Sequence, residues 1–158
     1  KTFNLAGALV GACVTSNPEF KARLDQRIAA SSLASYNAFG MIATEAAWRT
    51  GEVWLDELLP YLQANRDLLH QGICEAVPGA RAMPLDATYL AWLDFNGTGL
   101  AADDVAARMT ERARIFASPG PQFGPGGENR LRFNFATPRS RINEAIERIG
   151  DAFADVRT

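Results

Sequence analysis

A long helical pattern from Glu52 to Val77 constrains what this chain can fold into. Apolar residues recur there at helical spacing: Trp54, Leu58, Leu62, Leu69 and Ile73. Because residues at this spacing share one helix face, the pattern predicts a long helix with a buried stripe. Pro60 lies inside the pattern and predicts a kink or a break, since proline lacks the N–H that a helix interior needs.

The segments on either side of this helix differ in character. Before it, Leu9 to Val14 predicts a short buried strand, and Asn17-Pro18 predicts a helix start. After it, strand-like and helix-like segments alternate: strands over 87–95, 115–117 and 130–135, and helices over 101–114 and from 139 onward. The sequence therefore predicts an α/β fold with helices on a small sheet.

Charge and cysteine content exclude several functional classes. The formal net charge of the 158 residues is −2 with both signs mixed, so we expect neither a nucleic-acid nor a membrane partner. Cys13 and Cys74 lie far apart and are interpreted as buried free thiols, which favours a cytoplasmic protein. His70 is the only histidine, so no metal site is expected.

The segment Lys1-Thr2-Phe3-Asn4-Leu5-Ala6-Gly7 carries the first chemical pattern. It resembles the segment around the cofactor lysine of fold-type-I pyridoxal 5'-phosphate (PLP) enzymes. The resemblance implies that Lys1 is the catalytic and PLP-binding residue. A neutral amine can attack the cofactor aldehyde and then move a proton at the substrate α-carbon. A solvated surface lysine is the alternative, and the six residues that follow are what favour the PLP interpretation.

The segment Arg132-Phe133-Asn134-Phe135-Ala136-Thr137-Pro138-Arg139 carries the second pattern. It resembles the late strand of the class I/II aminotransferase superfamily, which bears the arginine that binds the substrate α-carboxylate. The resemblance assigns this substrate-binding role to Arg132. A planar guanidinium suits it, because its fork meets a carboxylate with two parallel hydrogen bonds. Arg130, on the same strand face, and Arg139, at the next helix start, are the alternatives.

Other segments support the same family in the same order along the chain. Tyr36 to Gly40 resembles a loop near the dimer interface, which implies contacts of Tyr36 and Asn37 with a neighbouring subunit. Thr88 to Asp94 resembles the first small-domain strand, and Ser118 to Gly127 resembles the loop before the arginine strand. The chain is identified as similar to the C-terminal part of these enzymes, with wording closest to the cystathionine β-lyase/C–S lyase group.

The resemblance implies a PLP-dependent enzyme acting on an amino acid. β-Elimination at a C–S bond, giving a thiol, pyruvate and ammonia, is the leading reaction, and transamination is the alternative. We expect residues 1–60 to be a remnant of the large PLP-binding domain and 61–158 the small domain, bridged by the long helix. The parent is expected to be a homodimer. Because the upstream cofactor-holding residues are missing, the chain alone is expected to be an inactive part of a longer protein, able only to fold or dimerise.

Overall fold

A computed structural model describes residues 1–33 and 37–156. The chain divides into two compact units, Lys1–Glu57 and Leu58–Thr158. The long helix α3 (Glu52–Ala76) begins in the first unit and continues in the second. That residues 1–60 and 61–158 correspond to two domains of a longer enzyme stays a prediction.

The first unit is helical in its described part. After a short 3-10 helix (Ala6–Ala8) come α1 (Pro18–Ala30) and α2 (Ala38–Thr50). The side chain of Asn17 accepts hydrogen bonds from the backbone N–H groups of Glu19 and Phe20 at 3.0 and 3.1 Å. This cap satisfies backbone donors that a helix start leaves unpaired, and it confirms the predicted start of α1.

The predicted buried strand over Leu9 to Val14 is wrong. The described residues of the first unit contain no strand, and Leu9 and Val14 are 85% and 86% exposed. A strand forms only where a neighbouring strand pairs with its backbone groups. With no such neighbour in the described part of this unit, an apolar, β-branched sequence is not enough.

The second unit contains a four-stranded antiparallel sheet with the order β1-β2-β4-β3. Its strands are β1 (Arg81–Ala82), β2 (Leu90–Asp94), β3 (Ser118–Pro119) and β4 (Arg130–Asn134). The predicted strands over 87–95 and 130–135 are confirmed as β2 and β4. The short strand predicted over 115–117 lies instead at β3, where Ser118 pairs with Arg132.

The helices of the second unit cover the core face of this sheet. They are α3, α4 (Ala102–Ala107), which continues as a π-helical turn over Arg108–Arg112, and α5 (Arg139–Ala152). α3 passes through Pro60 without the predicted break. Pro60 is exposed, so water can bond to the carbonyl that its missing N–H leaves unpaired.

The core of the second unit joins alternate residues of β2 and β4 to the apolar faces of α3 and α5. Its largest members are Leu69, Ile73, Leu93, Phe95, Phe133, Phe135, Ile142, Ile149 and Phe153. The predicted stripe of α3 is therefore confirmed at its C-terminal end, whereas Trp54 is 46% exposed. Helices packed on a small antiparallel sheet are the predicted fold class, and the structure confirms it.

Candidate functional site

Arg132 lies in the middle of β4, between the two strands that flank it. Its paired residues are Trp92 on β2 and Ser118 on β3. Because directly paired residues of antiparallel strands project to the same face, these three side chains form one cross-strand row. All three are half-buried, whereas the alternate residues Leu131 and Phe133 are buried in the core. The row therefore lies on the sheet face away from the core.

Neutral groups surround the guanidinium of Arg132. Its Cζ lies 4.5 Å from the ring centroid of Phe123, and its Nη2 lies 3.3 Å from Oγ of Ser118. The Phe123 ring meets Trp92 edge-on, with the ring centroids 5.5 Å apart. Across residues 1–33 and 37–156, no carboxylate lies within ion-pair distance of this guanidinium. Its positive charge is thus available to an incoming anion. We call Trp92, Ser118, Phe123 and Arg132 the arginine cluster.

Arg130, two residues earlier on the same face, is already neutralised. Its Nη2 and Nε lie 2.9 and 3.1 Å from Oδ2 of Asp94, and it also donates to the carbonyl of Gly126. Burial alone would raise the pKa of Asp94, but hydrogen bonds from Asn96 and Arg130 outweigh it and lower that pKa. An arginine paired in this way is a poor anion receptor, so the geometry favours Arg132 over Arg130.

Arg139 belongs to a structural network at the start of α5. Its Nε lies 3.3 Å from Oδ1 of Asn65, and its Cζ lies 5.1 Å from the ring centroid of Tyr61. Asn65 is fully buried and donates to the carbonyls of Phe135 and Thr137 at 3.3 and 2.9 Å. These bonds tie α3 to the turn after β4. Asn65 was not predicted from the sequence, although a polar residue between Leu62 and Leu69 in an apolar stripe indicates a buried, hydrogen-bonded side chain.

The loop before β4 holds Phe123 against the guanidinium of Arg132. It turns through a 3-10 helix (Gly120–Phe123), and its two ends approach closely at Gly120 and Gly127. A Cβ added to Gly120 would lie 2.1 Å from the carbonyl oxygen of Gly127, which no real side chain allows. Only glycine therefore fits this crossing.

Lys1 lies on the exposed surface of the first unit. Together with Thr2, Phe3, Thr44 and Trp48 it lines a shallow hollow of about 220 Å³, whose other walls are apolar. The described lining thus offers one amine, hydroxyl groups and aromatic rings. This set fits the aldehyde end and the ring of PLP, but it supplies no arginine or helix N-terminus for the phosphate. The role of Lys1 stays a prediction.

Asn37 is used inside the first unit. Its side-chain oxygen accepts from the backbone of Phe39 and Gly40 at 3.1 and 3.3 Å, which starts α2, and its Nδ2 donates to the carbonyl of Ala8 at 3.0 Å. Tyr36 lies outside the described residues. The predicted contacts of Tyr36 and Asn37 with a second subunit stay predictions.

Cys13 and Cys74 are both exposed, so the expectation that these thiols are buried is wrong, because neither side chain lies in the core.

Two other kinds of site are absent from the described residues. Within them, no group of three or more His, Cys, Asp or Glu side chains is placed to hold a metal ion. In the same ranges, no helix has the length and hydropathy to cross a membrane. His70 is half-buried on α3, and burial together with Arg66 lowers its pKa.

Helices packed on a small antiparallel sheet are the architecture of the C-terminal part of class I/II aminotransferase-superfamily proteins. The chain belongs to this superfamily and corresponds to that part. It is 32% identical over 154 residues to cystathionine beta-lyase PatB of Bacillus subtilis (strain 168), covering 98% of this chain and 40% of that protein. No family model matches the chain.

Solved structures show the same relationship. Cystalysin from Treponema denticola, which contains a PLP cofactor, superposes with a TM-score of 0.87 at 29% identity, over 99% of this chain and 40% of that one. A PLP-bound protein from Clostridium difficile 630, provisionally described as an aminotransferase, gives a TM-score of 0.85 at 33% identity, over 96% and 39%. The chain thus spans about 40% of the length of the relatives it matches.

Proposed function

We propose that this chain contributes the cofactor lysine and the substrate-carboxylate arginine of a PLP-dependent enzyme that breaks the β-carbon–sulfur bond of an amino acid. The observation that carries the proposal is the guanidinium of Arg132, held on an open sheet face with no carboxylate partner among the described residues. Because the chain spans about 40% of its relatives, the activity is proposed for a full-length protein that contains it.

Arg132 would bind and orient the substrate. Its Nη2 already donates to Ser118 and one guanidinium face lies against Phe123, which leaves other N–H groups for a carboxylate. Two parallel charge-assisted hydrogen bonds would fix the plane of the carboxylate and therefore the position of the adjacent α-carbon. Because the α-carbon is already oriented, a base can remove its proton without a further loss of rotational freedom.

Lys1 would hold the cofactor and move the proton. Lys1 is an exposed residue that lines the hollow beside Phe3 and Trp48, where an aldehyde can reach it. Its amine would hold the cofactor and would also take the proton from the substrate α-carbon. PLP, when bound, supplies the sink for the electron pair left there. The sulfur would then leave the β-carbon as a thiolate, which takes a proton to give the thiol, and water would hydrolyse what remains of the substrate to pyruvate and ammonia.

The assembly and domain organisation are proposed on the same basis. Residues 1–60 would belong to the large PLP-binding domain and residues 61–158 to the small domain. The full-length protein would be a homodimer in which Tyr36 and Asn37 approach the neighbouring subunit. For Asn37 this requires that its hydrogen bond to Ala8 either persists beside the contact or is exchanged for it.

An aminotransferase is the second candidate. It is favoured by the structural similarity to the Clostridium difficile protein, which is described as that class and has 33% identity. An aminotransferase would use Lys1 and Arg132 in the same two roles. The lyase reaction breaks the C–S bond and releases ammonia, whereas transamination keeps the side chain intact and requires a keto acid to accept the amino group.

The decisive experiment is a product assay on the PLP-loaded full-length protein with L-cystathionine. We expect pyruvate and ammonia in equal amounts without any added keto acid. Product formation that depends strictly on a keto acid would instead establish the aminotransferase. Absence of reaction with cystathionine, other cysteine thioethers and amino acid–keto acid pairs would contradict both candidates.

A further inference from the structure

We propose that Phe123 is a positioning residue for Arg132, and that it sets the affinity of this site for carboxylates. The proposal rests on the carboxylate-binding role of Arg132. In this arrangement the ring of Phe123 covers one face of the Arg132 guanidinium, and Oγ of Ser118 accepts a hydrogen bond from one of its edges. A remaining edge is then available to the substrate carboxylate.

The contacts fix the guanidinium in two independent directions. The ring of Phe123, with its centroid 4.5 Å from Cζ, prevents the group from tilting out of its plane. The bond from Nη2 to Ser118, 3.3 Å long, limits rotation within that plane. An arginine side chain otherwise carries much rotamer freedom, and binding a ligand would have to restrict it. A guanidinium held beforehand loses less of that freedom when a carboxylate arrives.

The aromatic face also changes the charge environment. A cation over a ring is attracted by the ring quadrupole, and it loses part of its water shell on that side. A partly desolvated guanidinium forms stronger hydrogen bonds to an anion than a fully hydrated one. Phe123 is a neutral partner, so it holds the cation without cancelling its charge, in contrast to the way Asp94 holds Arg130.

Phe123 is itself held in place. Its ring meets Trp92 edge-on at 5.5 Å, and Trp92 pairs with Arg132 across β2 and β4. The close crossing of Gly120 and Gly127 fixes the turn from which Phe123 projects. Phe123 is nevertheless 48% exposed, so part of the residue remains in contact with solvent.

The test separates carboxylate binding from chemistry. The PLP-loaded full-length protein is titrated with 3-(methylthio)propionate, a carboxylate without an amino group, and the Kd is measured by calorimetry. For Phe123→Leu, which keeps an apolar side chain and removes the ring, we expect the Kd to rise about fivefold. KM for the amino-acid substrate should rise similarly, with kcat changed less than about twofold. Phe123→Tyr should restore both values, because it restores the ring.

Phe116→Leu is the matched control, since Phe116 is 98% exposed in the same unit and should leave the Kd unchanged. Should Phe123→Leu fail to fold, Phe123→Met serves in its place with the same expected rise. A Kd unchanged in Phe123→Leu, while Arg132→Gln abolishes binding, would overturn this inference and leave the proposed function intact. Unchanged binding in Arg132→Gln would overturn the assignment of Arg132, and the role of Phe123 with it.

Discussion

Arg130 forms an ion pair with Asp94: Nε donates a hydrogen bond to Oδ2 at 3.1 Å, and Nη2 lies 2.9 Å from the same oxygen. The two residues are direct partners across β4 and β2, so this ion pair joins the central strands of the sheet. Arg132 lies two residues further along on the same face, with no such partner among the described residues. Two arginines only two residues apart thus differ in their partners. Arg130 is held in an ion pair, whereas Arg132 contacts a neutral hydroxyl, which supports its proposed role as a carboxylate receptor.

Replacing Asp94 by Asn should destabilise the protein in a pH-dependent way. The pKa of Asp94 is lowered in the folded state, so its stabilising contribution is complete above the usual aspartate pKa of ~3.9 and is lost as the pH falls through the folded value. We expect a loss of about 1–2 kcal/mol in the free energy of unfolding at neutral pH. Urea denaturation as a function of pH measures it.

The control for Asp94 is Asp67→Asn, because the bond of Asp67 to Arg66 is largely exposed and should contribute little. The difference between wild type and Asp94→Asn should shrink as the pH falls below ~4. A difference that stays constant down to strongly acidic pH would show that the ionised form of Asp94 is not what stabilises the sheet.

Replacing Asn65 by Leu should be more costly than its small change in size suggests. The amide is fully buried and bonds to the carbonyls of Phe135 and Thr137 and to Nε of Arg139. Removal leaves buried polar groups without partners, so we expect a loss of about 2–4 kcal/mol in unfolding free energy. Gln71→Leu, which removes an exposed bond to Glu75, should change it by less than about 0.5 kcal/mol. Equal effects of the two variants would contradict the network.

An alanine at Gly120 should displace the loop that carries Phe123. Its Cβ would lie 2.1 Å from the oxygen of Gly127, so the backbone has to move, at a cost of about 1–3 kcal/mol. We expect a lower Tm together with weaker carboxylate binding. Gly11→Ala is the control, since nothing lies within 4 Å of its added Cβ. A fall in Tm without any change in carboxylate binding would separate the loop from the site.

Replacing Arg132 by Lys should weaken substrate binding although the charge is kept. Lysine cannot present a planar fork, so one of two parallel bonds is lost, and KM should rise about ten- to a hundredfold. Arg112→Lys is the control, because the side chain of Arg112 is 60% exposed and its ion pair with Asp155 is long, at 3.8 Å. Kinetics with the cystathionine assay measure both variants, and an equal, small change in KM would argue against the role of Arg132.

The fold of the second unit could be predicted closely from its sequence, because its strands pair with one another and its helices pack on the sheet that they form. The alternation of Leu131 and Phe133 with Arg130 and Arg132 predicts both β4 and its two faces, and the structure places each residue accordingly. The fold of the first unit could be predicted less well from its sequence. Leu9 to Val14 has a strand-like composition, but pairing depends on neighbours that composition does not encode.

The arginine cluster shows a similar limit. The family resemblance singles out Arg132, whereas the strand pattern only places Arg130 and Arg132 on one face. Neither shows that Arg130 pairs with Asp94, since the two are joined only through the register of β2 and β4. Phe123 was recognisable only as part of a glycine-rich loop, because its contact with Arg132 depends on how that loop folds back. The two-residue strand β1 carries no periodic pattern at all.

The proposed enzyme mechanism depends most directly on Lys1 as the PLP-binding lysine. The full-length protein should be loaded with PLP, treated with borohydride to fix the cofactor covalently, digested, and analysed by mass spectrometry. We predict a single PLP adduct on the ε-amine of the lysine that is Lys1 in this chain, and its loss when that residue is replaced by Ala. An adduct on another lysine, or labelling scattered over several, would contradict the assignment and the proposed enzyme mechanism with it.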